Sequence, residues 1–239
     1  MMKGIILAGG TGSRLLPLTR VTNKHLLPVG KKPMILHCID RLTESGIKDI
    51  MVITGTEHMG HIVGLLGSGN SMGCELSYRV QEKPDGIAGA IRLCESFVGN
   101  EDFAVILGDN IFEDSLQDHI ERFRNRDSKI ECSLLFKKVS DPHRFGVGKF
   151  EGNKLVQLLE KPKNPPSDLA CVGFYLYSSN AFQKLSDLIP SDRGELEVTD
   201  LNQWYVTRGV AAYSELEGWW TDAGTHDSYQ LANRLCEDL

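Results

Sequence analysis

Residues 7–14 read Leu7-Ala8-Gly9-Gly10-Thr11-Gly12-Ser13-Arg14 and follow a short apolar run. Glycines at 9, 10 and 12 let the main chain turn sharply and bring bare N–H groups to a ligand, while Arg14 adds a fork of donors matched to phosphate oxygens. Ten residues on, Lys24 stands in a stretch bounded by Pro17 and Pro28, so its ammonium can fold back over the same loop. Two cations and a glycine loop suit a polyphosphate. Taken singly, the loop is a common βα turn and the lysine a solvated surface charge. Two familiar phosphate motifs are absent. A GxGxxG fingerprint from Gly10 needs a small residue where Leu15 stands, and no GxxxxGK[ST] run exists, so neither a dinucleotide domain nor a P-loop is supported.

Two aspartates carry the second signal. Asp109 closes the apolar run from Phe103 to Gly108, which places a carboxylate at the carboxyl end of a buried strand, where open α/β sheets bind ligands. Asp222 follows Trp219-Trp220-Thr221 and precedes Ala223-Gly224. Nothing in their spacing pairs them, and either alone is as readily a turn or N-cap residue. Phosphates call for a hard divalent cation, and Mg²⁺ is commonly held by one or two carboxylates with phosphate oxygens and water.

The elements that must position these groups are legible in the apolar pattern. Runs rich in β-branched residues recur at 4–8, 50–54, 76–80 and 103–107, separated by helical periodicity at 34–42, 58–66, 87–97 and 116–123. Alternation of strand and helix predicts an α/β, doubly wound, mostly parallel sheet. From residue 131 the pattern changes. Strands are expected at 132–138, 146–150, 155–160 and 171–177 with few helices between them, which predicts mixed or antiparallel pairing in a smaller β-rich portion. Lys161 to Ser167 is a loop on composition, yet no low-complexity linker marks a boundary. One domain over 1–239 is expected, with halves at about 1–130 and 131–226.

Composition narrows the classes further. With 239 residues, 41% hydrophobic and 24% charged, the chain is that of an ordinary globular protein. Its 26 basic and 32 acidic side chains leave −6, the wrong sign for a general electrostatic grip on nucleic acid or anionic lipid. The six cysteines lie at least 20 positions apart with no CxxC pair, so reduced, buried thiols are expected. The five-residue apolar run before Gly9 is too short for a signal core or a membrane span, and a cytoplasmic protein is expected.

Read as a whole, LAGGTGSRLLPLT followed by NKHLLPVGKKP resembles the signature of the sugar nucleotidyltransferases, and most closely the glucose-1-phosphate thymidylyltransferases. QEKPDGIAGA, ILGDN, DPHRFGV, EKP, RGELEVTD and WWTDAGTH extend the resemblance from residue 3 to about 226. It implies a Rossmann-like nucleotidyltransferase fold whose first half binds the nucleotide and whose second half binds the sugar phosphate. It implies Mg²⁺ on Asp109 and Asp222, and a nucleoside triphosphate held by Leu7, Ala8, Gly9, Gly10, Thr11 and Gly12. Arg14 and Lys24 would lie on its phosphates, and Gln81 and Gly86 beside its base. Lys161 and Arg193 would anchor the sugar phosphate. Glu160 and Thr199 would contact sugar hydroxyls, with Gly146, Val172 and Gly173 as backbone contacts and Trp220 as an apolar wall.

The expected reaction joins dTTP and glucose 1-phosphate to give dTDP-glucose and pyrophosphate. The rival readings are a UTP-, CTP- or GTP-dependent transferase acting on another sugar, and a non-catalytic sugar-nucleotide-binding subunit. The chain departs from the family pattern at His25, Lys31 and Phe145, and it ends one helix after Asp222. The resemblance then implies that the family's second, regulatory nucleotide site is absent or rebuilt. Association as a homodimer or homotetramer is expected, with no nucleic-acid or membrane partner.

Overall fold

The structure is a computed structural model, described over residues 2–237. Strands Lys3–Ala8, Asp49–Thr54, Glu75–Val80 and Phe103–Leu107 pair in parallel, with Lys3–Ala8 between Asp49–Thr54 and Phe103–Leu107. Lys3–Ala8, Asp49–Thr54 and Phe103–Leu107 are buried on both faces, which is why each reads as a continuous apolar run rather than an alternating one, while Glu75–Val80 closes the sheet edge with only Leu76 buried. Ile5, Leu7, Val105 and Ile53 point into one core, completed by Ala88, Ile91, Phe182 and Leu201. Ile6, Ala8, Ala104 and Val52 point into the opposite core, against Ile35, Ile39, Leu66 and Phe123. The sheet is thus doubly wound, with helices Met34–Glu44, Met59–Leu66 and Gln117–Arg124 on one side.

The second half continues the same sheet. Leu169–Tyr177 runs antiparallel to Phe103–Leu107 from Phe174 to Tyr177, while Ala170 and Cys171 pair instead with Gly146–Glu151, itself paired with Lys154–Glu160. The neighbour along that edge therefore changes at Val172-Gly173, and the sheet forks there. On its other edge Leu169–Tyr177 pairs with Cys132–Lys138, which carries Ala211–Glu215 in parallel. The mixed pairing expected beyond residue 131 is present.

Two expectations need correction. The helix expected over 87–97 is two short ones, Ile87–Arg92 and Glu95–Val98, because Leu93 and Cys94 bond back to Ala90 and Ile91 in tighter i to i−3 fashion. The second half is also richer in helix than its pattern suggested. Ala181–Ser186 and Val198–Arg208 cover the first core, and His226–Leu235 opens with a Thr225/Ser228 capping box. That last helix packs Ala232 and Cys236 with Val29, Met34, Ile111 and Ala223 in a small third core.

Candidate active site

The glycine loop leaves the carboxyl end of the central strand with Gly10 at φ +92° and Gly12 at φ +62°, both in the left-handed region. A short 3-10 turn, Ser13–Leu15, follows the loop in place of a full helix, with Pro17 two residues beyond it. Thr19 Oγ1 donates to Gly12 O at 2.8 Å and Asn23 Nδ2 to Ala8 O at 3.2 Å, so the segment after the loop is tied down onto it. His25 supports the same tie, its backbone N and its Nδ1 lying 2.9 and 2.7 Å from Asn23 Oδ1. Burial first, and Lys24 second, lower the His25 pKa to about 3, so the imidazole is neutral. Gly108 makes room for it: a Cβ there would lie 2.7 Å from His25 Cδ2.

This scaffold aims Lys24 at Asp109, with Nζ 2.5 Å from Oδ2. Burial works against ionisation of Asp109, but the Lys24 ammonium, by charge and hydrogen bond, and the Asn110 amide outweigh it and hold the carboxyl well below the usual carboxylate range. Asp222 reaches the same place by a two-stranded ribbon. Trp220–Asp222 pairs antiparallel with Asn110–Phe112, setting Asp222 opposite Asn110, and Ala223 N donates to Asp109 O at 2.7 Å. Burial and the nearby Asp109 charge raise the Asp222 pKa to about 6, with Arg144 and Arg14 pulling the other way. Arg144 Nη2 sits 3.3 Å from both Asp222 oxygens.

Gly224 marks where these groups converge. A Cβ at that position would lie 3.4 Å from Arg14 Nη2, 3.4 Å from Asp109 Oδ2 and 3.5 Å from Asp222 Oδ2. The bare glycine keeps open a space faced by two carboxylates and a guanidinium. Among the described residues no cluster of three or more His, Cys, Asp or Glu side chains could hold a metal ion. A two-carboxylate site is unsuited to a closed structural metal but fits Mg²⁺, which keeps open positions for phosphate oxygens and water.

Two cavities meet at this point. One, about 390 Å³, opens at the fork of the sheet and is lined by Arg14, Asp109, Gly146, Glu160, Lys161, Gly173, Arg193, Thr199, Trp220 and Asp222. The other, about 340 Å³, is lined by Leu7, Gly9, Gly10, Arg14, Lys24, Gly86 and Asp109. Arg14, Ile87, Leu107, Asp109 and Glu195 wall both. Gln81 and Thr11 face a smaller recess of about 140 Å³ that shares Gly10 and Pro84 with the second cavity. Gln81 Nε2 donates to Asp85 Oδ1 at 2.7 Å and Gly86 O at 3.1 Å, which fixes the amide and leaves Oε1 over Gly9 as an acceptor. Gly86 has φ +99°, and a Cβ there would meet Leu196 O at 2.5 Å.

Within the forked cavity the charges are already engaged. Arg193 donates to both Glu197 oxygens at 2.9 Å and lies 3.5 Å from Glu160 Oε1, while Lys161 Nζ is 3.2 Å from that same oxygen. Thr199 Oγ1 donates to Glu160 Oε2 at 2.5 Å. Lys161 has φ +42°, a left-handed conformation in a non-glycine residue, just where the strand Lys154–Glu160 ends. Trp220 borders the cavity edge-on to Phe145, with centroids 5.2 Å apart, whereas Trp219 packs into the third core.

Three expected residues stand outside these walls. Ala8 is buried in the second core and Val172 points into it, because alternation along their strands sends them away from the cavity. Gly12 packs against Thr19 and Lys24 and acts on the loop's shape. Asn110 went unassigned in the sequence although it is central. Its Oδ1 accepts from Gly173 N at 2.9 Å and Trp220 Nε1 at 2.8 Å, and its Nδ2 donates to Asp109 Oδ1 at 2.9 Å. Its place in ILGDN, directly after the strand-end aspartate, was the available signal. Arg144, Tyr175 and Asn202 also line the cavity without having been anticipated.

Comparison with known proteins agrees with this architecture. The sequence profile described as Nucleotidyl transferase matches residues 3–238. The low-salt glycan biosynthesis nucleotidyltransferase Agl11 of Haloferax volcanii is 41% identical over 98% of this chain, which spans 66% of that protein. The glucose-1-phosphate thymidylyltransferase of Neisseria meningitidis serogroup A is 43% identical over 97% of this chain and 81% of its own length. Among solved structures, a Bacillus anthracis protein provisionally named a glucose-1-phosphate thymidylyltransferase, in complex with sucrose, superposes with a TM-score of 0.96 at 55% identity, covering 100% of this chain and 96% of that one. A UDP-glucose pyrophosphorylase bound to UDP-glucose gives 0.84 at 25% identity, covering 98% of each chain. No helix among the described residues is long and apolar enough to cross a membrane. With a glycine loop at the end of the central strand, two acids at one point and a second cavity beyond them, the chain belongs to the nucleotidyl transferase family and is a sugar nucleotidyltransferase.

Proposed function

We propose that this protein joins dTTP and glucose 1-phosphate to give dTDP-glucose and pyrophosphate. The observation that carries the reading is the convergence of Arg14, Asp109 and Asp222 around Gly224, at the wall shared by the two cavities. A triphosphate on the glycine loop and a sugar phosphate in the forked cavity would meet there. The relatives named glucose-1-phosphate thymidylyltransferase support the substrate pair.

In this reading an oxygen of the sugar phosphate attacks the α-phosphorus, the α–β bridging bond breaks, and pyrophosphate leaves with the electron pair. Such a transfer asks the protein mainly for alignment and charge stabilisation. Arg14 and the loop N–H groups hold the triphosphate. Lys24 exchanges its contact with Asp109 for the leaving phosphates, while Lys161 and Arg193 turn from Glu160 and Glu197 to the incoming phosphate. Asp109 and Asp222 would hold Mg²⁺, which when bound neutralises phosphate charge. A homodimer or homotetramer acting in the cytoplasm completes the reading.

Base choice rests on Gln81. With its NH₂ committed to Asp85 and Gly86, it presents an acceptor, which suits the imino N–H that thymine and uracil carry and cytosine lacks. Uracil satisfies Oε1 equally, so a UTP-dependent activity is the second reading, in line with the likeness to a UDP-glucose pyrophosphorylase. Pyrophosphate release with glucose 1-phosphate and Mg²⁺, run in parallel against dTTP, UTP, CTP and GTP, separates them. Turnover highest with dTTP is expected. Turnover highest with UTP would transfer the assignment, and turnover highest with CTP would contradict the role given to Gln81.

A further inference from the structure

The forked cavity holds a buried amide donor that no protein group uses. Asn202 is only 1% exposed, yet it lines the cavity. Its Oδ1 accepts from Tyr177 O–H at 2.5 Å, and its Nδ2 donates to no protein atom among the described residues, nor is it among the side-chain nitrogens sealed from solvent without a partner. A buried N–H₂ with nothing to bond loses the free energy of its missing hydrogen bonds unless something in the cavity accepts them. The fold commits resources to this orientation. Cys171, Gly173, Tyr175 and Tyr177 alternate along one face of Leu169–Tyr177, so the strand that lines the cavity also delivers the phenol that grips Asn202. Burial pushes the Tyr177 phenol well above its ordinary pKa, which keeps its proton in place to donate and fixes the amide with its nitrogen toward the cavity.

Asn202 also has a complementary neighbour. It lies three residues beyond Thr199 on Val198–Arg208, hence on the same helix face, and Thr199 holds Glu160, whose carboxylate faces the same space. The wall therefore offers an acceptor at Glu160 and a donor at Asn202. A neutral, hydroxyl-bearing ring satisfies both, because each hydroxyl can donate and accept at once. We propose that Asn202 is a specificity-determining residue: its Nδ2 donates to one hydroxyl oxygen of the sugar, and its amide is held in register for this by Tyr177. The inference rests on the sugar 1-phosphate reading above and says which side chain reads the sugar.

The test is a variant-by-analogue comparison with dTTP, using glucose 1-phosphate and its 2-, 3-, 4- and 6-deoxy analogues. Wild-type enzyme is expected to discriminate against one analogue by at least about tenfold in kcat/KM, because removing that hydroxyl strands the buried donor. Asn202→Ala and the near-isosteric Asn202→Asp should raise KM for glucose 1-phosphate about tenfold or more, leave KM for dTTP within about twofold, and reduce discrimination against that one analogue to about threefold. Tyr177→Phe, which keeps the packing and frees the amide to turn, should move the same analogue in the same direction. If Asn202→Ala fails to fold by circular dichroism, Asn202→Asp and Tyr177→Phe decide. Discrimination against all four analogues unchanged from wild type in these variants overturns the proposal while leaving the reaction intact. Wild-type protein inactive with every sugar phosphate and nucleotide overturns the reaction and this inference together.

Discussion

Asp109 and Asp222 lie on two halves of one ribbon, joined by the Ala223 N–H to Asp109 C=O bond, and their carboxylates face one gap while titrating in opposite directions. Lys24 caps Asp109 and keeps it ionised, and burial next to that charge makes Asp222 reluctant to ionise. In the proposed reading the pair holds a cation that is not part of the chain, and its stability signature without that cation follows from the two opposite shifts.

Asp222→Asn should stabilise the metal-free protein. The folded pKa of Asp222, about 6, lies above the ordinary 3.8, so the native state binds more protons than the unfolded state between those values. Stability is therefore present below pH 4 and lost as pH rises through 6, costing at most about 3 kcal/mol at neutral pH. In chelator, thermal melts at pH 7.5 should place the variant a few degrees above wild type, with the gap closing by pH 4. A variant less stable than wild type at pH 7.5 would contradict the shift.

Asp109→Asn should do the reverse. It leaves the Lys24 ammonium partly buried and unpaired, and breaking a buried pair is strongly destabilising, here by about 3 kcal/mol once the relief at Asp222 is counted. Because the Asp109 pKa is depressed, its contribution is present at neutral pH and lost only as pH falls below the ordinary carboxylate range. Urea denaturation at pH 7.5 would show it as a lower midpoint with an unchanged slope.

Gly146 and Gly173 should behave differently on substitution by alanine. At Gly146 the nearest atom to a new Cβ is Thr199 Oγ1 at 3.4 Å, an ordinary contact, and the methyl projects toward Glu160. Stability should hold within about 0.5 kcal/mol while KM for the sugar phosphate rises about tenfold. At Gly173 the Cβ would lie 2.6 Å from Asn110 Oδ1, displacing the amide that joins Asp109, Trp220 and the sheet fork. Stability and turnover should fall together, by about 2 kcal/mol or more in the melt.

Much of the scaffold was legible because fully buried parallel strands announce themselves. The runs at 4–8 and 103–107 are apolar on both faces, and Asp109 stands out as the first charge beyond such a run. Its partner was not legible, since the ribbon that brings Asp222 beside it pairs segments about 110 residues apart in a register no local pattern encodes. Val172 and Gly173 look alike as a dipeptide, yet alternation sends one side chain into the far core and leaves the other position facing the cavity. Asn202 was hidden for a different reason. Its helix, Val198–Arg208, follows a stretch rich in turn residues, and the meaning of its amide depends on a hydroxyl supplied by a distant strand. Residues that act through a partner across the fold leave little trace in their own neighbourhood.

One reaction at one pair of acids is the centre of the proposed function. Pyrophosphate release from dTTP and glucose 1-phosphate with Mg²⁺ should be measured side by side for wild type, Asp109→Asn and Asp222→Asn, at a temperature where all three are folded. Release that requires both substrates and falls by at least about a hundredfold in each variant, the more stable Asp222→Asn included, is the predicted result. Turnover near wild type in either variant would contradict the assignment of that carboxylate and with it the site at the centre of this structure.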